Sequence, residues 1–128
     1  MMQKFNKYSI EKLKAFLYNS RVHDAKIESI EYSSKEKSVK VKTFNPIFSI
    51  RTNLTFYTIK AVLSIKGKSE GDPETIVSLT AEDDFSYLQL YLPGYDEGEE
   101  PSLYLLFQMF SGNELHIVSG EVAVEVIT

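Results

Sequence analysis

A chain of 128 residues suits a single domain, residues 1–128, with a core that can hold without covalent staples. It contains no cysteine, which excludes disulfide frameworks, thiolate metal sites and cysteine nucleophiles, and its two histidines leave few ligands for a transition metal. The net charge of −4 conceals a division: residues 1–68 hold all 14 Lys and Arg against five acids, a balance of +9, whereas residues 69–128 hold 13 acids and no Lys or Arg.

The first expected element is a helix from Ser9 to Asn19. Ser9 suits the N-cap, Glu11 suits the positive end of the helix dipole, and Ile10, Leu13, Phe16 and Leu17 form one apolar stripe. From Ala25 the period changes to two. "AKIESIEYS" and "SVKVKTF" read as a hairpin about "SSKEK". Ile27 and Ile30 are three apart, so strict alternation fails in the first arm, and either a bulge falls near Glu28–Ser29 or both faces are partly covered. Asn45-Pro46 ends the pairing.

A long strand is expected over Leu54–Gly67, rich in β-branched and aromatic residues, then a loop "KSEGDPE" and a short strand "TIVSLT". "AEDDFSYLQLYL" gives two signals. Thr80 followed by three acids resembles a helix start, but Leu88, Leu90 and Leu92 alternate with Tyr87, Gln89 and Tyr91, which favours a strand. After a loop through "PGYDEGEEP", "SLYLLFQMF" and "ELHIVSGEVAVEVIT" form a last hairpin about Ser111-Gly112-Asn113. Gly120 marks a change of phase, as a bulge does. The expected fold is α+β: a mainly antiparallel sheet or sandwich of six to eight strands with one N-terminal helix. The runner-up is a barrel-like β-sandwich with a peripheral helix.

His23-Asp24 lies at the junction of helix and strand. A metal centre needs three or more ligands and a nucleophilic relay needs a placed Ser, and neither pattern surrounds the pair. The pair reads as a structural motif, with Asp24 accepting amides in the turn and His23 bonding a nearby carbonyl or acid. Only convergence of His23 with His116 and a further acid would make a metal site. No catalytic, metal or cofactor residue is expected. Asn53-Leu54-Thr55 matches the glycosylation pattern, but no apolar run of secretory-signal length stands at the N-terminus. No stretch approaches the ~20 apolar residues of a membrane-spanning helix. The expected location is the cytoplasm, without membrane attachment.

The charge division has two readings. Basic and acidic strands can pair and neutralise each other within one sheet, or the acidic half can present itself to a basic partner. "LYLLFQMF" does not alternate, so both its faces must be covered by the helix, by a second sheet or by another chain, which leaves a homodimer open. Candidate partner-binding residues are Asp83, Asp84, Tyr91, Tyr95, Asp96, Glu97, Glu99 and Glu100. Lys35, Lys37, Lys40 and Lys42, beside Tyr32 and Phe44, raise single-stranded nucleic acid as a lesser alternative, diluted by Glu28, Glu31 and Glu36.

Two stretches carry a resemblance. His23, Asp24, Ala25, Ile27 and Ile30, then Ser111, Gly112, Leu115 and Ile117, match a pattern His-Asp-(Ala/Ser)-x-(Ile/Val)-x-x-Ile … Ser-Gly-x-x-Leu-x-Ile. In this the chain resembles small bacterial proteins of unknown function, some found beside polymorphic toxins as candidate immunity proteins. The resemblance implies a non-enzymatic, mainly β protein that works by binding another protein, and it supplies no catalytic residue. The expected function is therefore a non-enzymatic intracellular protein-interaction module, immunity-like, that meets a basic partner through its acidic, aromatic-rich C-terminal half. The alternative is a small-ligand binder or enzyme using an apolar cavity between sheet and helix.

Overall fold

The computed structural model describes residues 2–98 and 100–128. Seven strands and two helices follow in the order β1 (Met2–Phe5), α1 (Ile10–Tyr18), β2 (Lys26–Ser33), β3 (Ser38–Asn45), β4 (Ile50–Ile65), β5 (Ile76–Glu82), α2 (Ser86–Gln89), β6 (Leu103–Met109) and β7 (Glu114–Ile127). All strand pairs are antiparallel, in the order β2-β3-β4-β7-β6-β5. This is the mainly antiparallel α+β fold expected from the patterning.

β4 and β7 pair from Arg51↔Ile127 to Ile65↔Glu114 and form the spine of the sheet. The other edge of β7 is shared, β6 taking Glu114–Ser119 and β1 taking Val122–Glu125. The sheet then curls until its two end strands touch. Asp24 N–H donates to Ile76 O (2.8 Å), Ile76 N–H to Ala25 O (2.8 Å) and Ile27 N–H to Glu74 O (2.9 Å).

Inside the curl lies the main core. Leu54 and Phe56 of β4, Leu105 and Phe107 of β6, and Leu115 and Ile117 of β7 are buried there. Leu13 and Leu17 enter from α1, so the predicted stripe is the buried face. The start of the helix differs in its chemistry. A single 3-10 turn, Lys7–Ser9, precedes it, and the Ser9 hydroxyl accepts the Asn6 N–H (3.0 Å) rather than capping α1.

The two predicted irregularities have different origins. The register of β2 against β3 shifts between Ile27 and Ser29, so a bulge explains the spacing of Ile27 and Ile30. At Gly120 the inward face of β7 does change parity, from Leu115 and Ile117 to Val122 and Val124. The register shift, however, lies on the partner strand, between Ile59 and Ala61. There Thr58 adopts φ +56°, and a Cβ on Gly120 would stand 3.2 Å from the Thr58 Cβ. The glycine makes room for a bend in its neighbour.

The strand expected over "FSYLQLYL" is not formed. β5 ends at Glu82, the Asp84 carboxylate accepts the Ser86 N–H (2.9 Å), and the four-residue α2 follows. The alternation of Leu and Tyr reflects burial from one side only: Leu88 is fully buried while Leu90 is exposed. The segment lies on the outside of the sheet, where Leu88 packs with Tyr104, Leu106 and Val118 against Phe85, Tyr87, Leu92 and Tyr95. "LYLLFQMF" is thus covered on both faces by its own chain, with Leu103, Leu105 and Phe107 inward and Tyr104 and Leu106 outward.

Candidate functional site

His23 and Asp24 are near each other and near little else. The His23 Nδ1 lies 3.1 Å from the Asp24 carboxylate, and both side chains are well exposed. Asp24 takes φ +67° and its backbone N–H holds Ile76. The side-chain work expected of the pair falls to Asn45, whose Nδ2 donates to the carbonyls of Arg21 (3.1 Å) and His23 (3.3 Å). Asn45 is buried, and its Oδ1 accepts the amides of Ile47 and Phe48, so one side chain ties the end of β3 to the helix–strand junction. His23 and His116 share no partner. Among the described residues no group of three or more His, Asp and Glu side chains could hold a metal ion.

The acidic residues expected to meet a partner are largely engaged within the chain. Asp83 pairs with Lys14 (2.6 Å), Glu97 with Lys7 (2.8 Å) and Glu100 with Lys60 (3.6 Å). Lys26–Asp72 (3.5 Å) and Lys4–Glu121 (4.0 Å) also join the basic half to the acidic half. Asp84 and Asp96 accept the amides of Ser86 and Gly98. Tyr95 packs on Phe85 with ring centroids 5.7 Å apart, and burial pushes its hydroxyl pKa up. Tyr91 is half-exposed, and its ring meets that of His116 in a T-shaped contact with centroids 5.4 Å apart. Glu99 lies outside the described residues. Folding therefore matches part of the +9/−13 division internally, but of these five pairs only Lys4–Glu121 lies across two paired strands; the other four acids lie outside the strands, so pairing of basic against acidic strands is not the means.

His116 is the centre of a second cluster. It is buried on the outer face of β7, between the rings of Tyr87 and Tyr104, each near parallel to it at 5.7 Å. Its Nε2 lies 2.9 Å from Glu114 Oε1 and its Nδ1 lies 2.6 Å from the Tyr104 hydroxyl. An ionised carboxylate only accepts, so in the neutral ring Nε2 carries the proton and Tyr104 donates to Nδ1. The other Glu114 oxygen accepts from the Tyr87 hydroxyl and from Gln108 Nε2 (3.1 Å). Burial alone would raise the Glu114 pKa, but the bonds from Tyr87, Gln108 and His116 outweigh it and hold the carboxyl below its usual range. Hydrogen bonding to Glu114 raises the Tyr87 pKa, and burial raises that of Tyr104.

A Glu–His–Tyr chain has the membership of a proton relay, and here its His116 and Tyr104 end is buried while Glu114 also lines a surface cleft. Both imidazole nitrogens are occupied, the Tyr104 hydroxyl is fully buried and hard to ionise, and α2 lies over the cluster. What the arrangement does is satisfy every buried polar atom: among the described residues no buried side-chain donor or acceptor lacks a partner. The network could have been found in the sequence. Glu114 and His116 are two apart on one strand face, and Tyr104 and Gln108 fall on the matching face of β6.

An open cleft adjoins this cluster. Its volume is about 470 Å³, with Ile27, Ile30, Ile65, Met109 and Leu115 as apolar lining and Glu28, Lys66, Glu74, Asn113 and Glu114 among the polar residues around it. Its walls are strand edges. Among the described residues, β2 pairs only with β3 beyond Ile27, and β4 pairs only with β7 beyond Ile59, because β3 leaves β4 at Phe56. One end is closed by the loop after β4. Gly67 N–H donates to Asn113 Oδ1 (2.6 Å), and a Cβ at Gly67 would lie 2.3 Å from the backbone of the β6–β7 turn. A smaller hollow of about 250 Å³ continues the line between Tyr32, Ser33, Ile59 and Val62. The sequence signal was present in the excess length of β4 over its β3 partner, but nothing in it shows that the two edges border one space.

No helix is long and apolar enough to cross a membrane among the described residues. Comparison with known proteins gave no match to a family model, a curated protein or a solved structure, so the functional reading rests on the chemistry of the cleft and its surroundings.

Proposed function

We propose that this protein is a non-catalytic interaction module that receives an extended segment of a protein partner in the cleft between β2 and β4. The observation that carries the reading is the pair of unpaired strand edges bordering one apolar cleft. Main-chain donors and acceptors on both walls suit a peptide backbone, and the apolar lining suits its alternate side chains. Glu74 stands at the rim with no ion-pair partner among the described residues, whereas Glu28 is held by Arg51 (3.2 Å), so a Lys or Arg on the Glu74 side of the apolar residues is favoured. A basic residue on the partner is favoured by Glu74 at the rim rather than by the charge division, and the contact moves from Asp83, Glu97 and Glu100 to the cleft. The bulge beside Glu28 and the charges of Glu28 and Lys66 guard these edges against indiscriminate pairing. The motif resemblance to candidate immunity proteins points the same way, since such proteins act by binding.

A display library of seven-residue segments tests the reading. Enriched sequences should carry alternate apolar residues with a Lys or Arg to one side of them, and a bound peptide should slow amide exchange at residues 29–33 and 61–65. Absence of enrichment, or protection confined to the α2 cover, would overturn it.

A further inference from the structure

A second concavity, of about 460 Å³, lies beside α1 at the opposite end of the spine. Its floor is apolar, with Phe16 from the helix, Ile50 from β4 and Val126 from β7, and its charged lining residues are Lys12 and Arg21. Neither cation has an ion-pair partner among the described residues, and no acid lines the groove. Arg21 stacks over the ring of Phe48 at 4.0 Å, which fixes the face of the guanidinium and leaves its N–H edge free.

Part of the backbone around this groove is already paired. At Thr52, β4 is flanked by Thr43 on one side and Val126 on the other. The carbonyls of Ala15 and Leu17 at the end of α1 are held by Asn19 and Ser20. These walls offer side chains, where the β2–β4 cleft offers main chain, and the charged ones are cations. We infer that the groove beside α1 binds a small amphiphilic carboxylate, its alkyl chain on Phe16, Ile50 and Val126 and its head between Lys12 and Arg21. The volume is that of a small-molecule site, and a single anionic head on an apolar body answers the apolar floor and the two cations of the lining. This inference is independent of peptide binding at the other cleft.

Submicellar octanoate, decanoate and dodecanoate are the probes, with 1-decanol and decyltrimethylammonium as head-group controls, followed by calorimetry and by amide shifts of the intact protein. Affinity should rise about two- to fourfold per added methylene, because each fully buried CH₂ contributes roughly 0.8 kcal/mol. Decanoate should bind at least about tenfold more tightly than decanol, a preference lost in the double variant Lys12→Gln, Arg21→Gln with decanol binding unchanged. Shifts should centre on Phe16, Ile50 and Val126. Equal binding of decanol, no dependence on chain length, shifts centred on the β2–β4 cleft, or tighter binding of oligo-glutamate than of decanoate would each overturn the assignment. Both substituted side chains are exposed, so the double variant should fold, which its circular dichroism checks.

Discussion

Two regions at the β6–β7 hairpin share one residue and behave in opposite ways. On the outer face, Glu114 anchors a cluster with His116, Tyr87 and Gln108, in which every donor finds an internal acceptor. At the end of the sheet the same residue helps line an open cleft whose neighbouring strand edges lack ladder partners. In the first region His116 and Tyr104 are buried, and Glu114 links them to the cleft. The second has access, with main-chain groups and apolar floor in place of catalytic residues. Residue type alone does not separate the two regions; what separates them is which polar groups are left unpaired.

The largest effect should come from removing the shared residue. Glu114→Ala strips partners from His116, Tyr87 and Gln108 and should cost about 3 kcal/mol or more, read by urea unfolding. A loss of only about 0.5 kcal/mol, the range of ordinary surface changes, would mean that the cluster is not the tightly held interior described.

The second effect is a pH dependence to which the Glu114 cluster contributes on both the acid and the alkaline side. The Glu114 pKa is lowered in the fold, so its contribution is complete above the usual carboxylate range and is lost as pH falls through the lowered value. The Tyr87 and Tyr104 pKa values are raised, so their contribution is complete below the usual tyrosine value of about 10 and is lost as pH rises beyond it. The urea midpoint should be flat through neutrality and fall on both sides. Tyr104→Phe should lower the plateau by about 1–2 kcal/mol, because His116 Nδ1 is left without a donor, and should soften the alkaline limb. An unchanged alkaline limb would count against burial of that hydroxyl.

The smallest change in stability should come from the open side. Ile30 lines the cleft and is already about a third exposed (36%), so Ile30→Lys should shift stability by no more than about 0.5 kcal/mol. It should nevertheless weaken peptides selected on the native protein by about tenfold or more and leave the pH profile unaltered. If binding survives, the cleft is not the contact.

Much of the fold was legible because its signals are local. The stripe Leu13, Phe16 and Leu17 needs only the 3.6-residue period, and the bulge at Ile27–Ser29 shows in a break of the two-residue period within one arm. α2 was legible only as a helix start, in Thr80 and the three acids after it, which the alternation of Leu and Tyr outweighed. Tyr and Leu alternate there over a segment that is half-buried on the sheet exterior, and a four-residue helix is too short to print a period. β1 was missed for the complementary reason. Four residues pair with Val122–Glu125 at the far end of the chain, and that partner is not in the local window. The site divides the same way. The face shared by Glu114 and His116 could be read from their spacing, whereas its closure by Tyr87 depends on where α2 docks.

The sequence by itself determined the alternating and helical periods, the breaks at Asn45 and Gly120, and a charge division that had to be resolved somewhere. Tertiary structure alone decided how it was resolved: Lys7, Lys14 and Lys60 meet Glu97, Asp83 and Glu100 across 40 to 90 residues of chain. It also decided that His116 is sealed while the β2 and β4 edges stay open. The physical reason is that burial and main-chain pairing are set by the curl of the whole sheet, which brings β2 onto β5 at Ala25 and Ile76 but stops there.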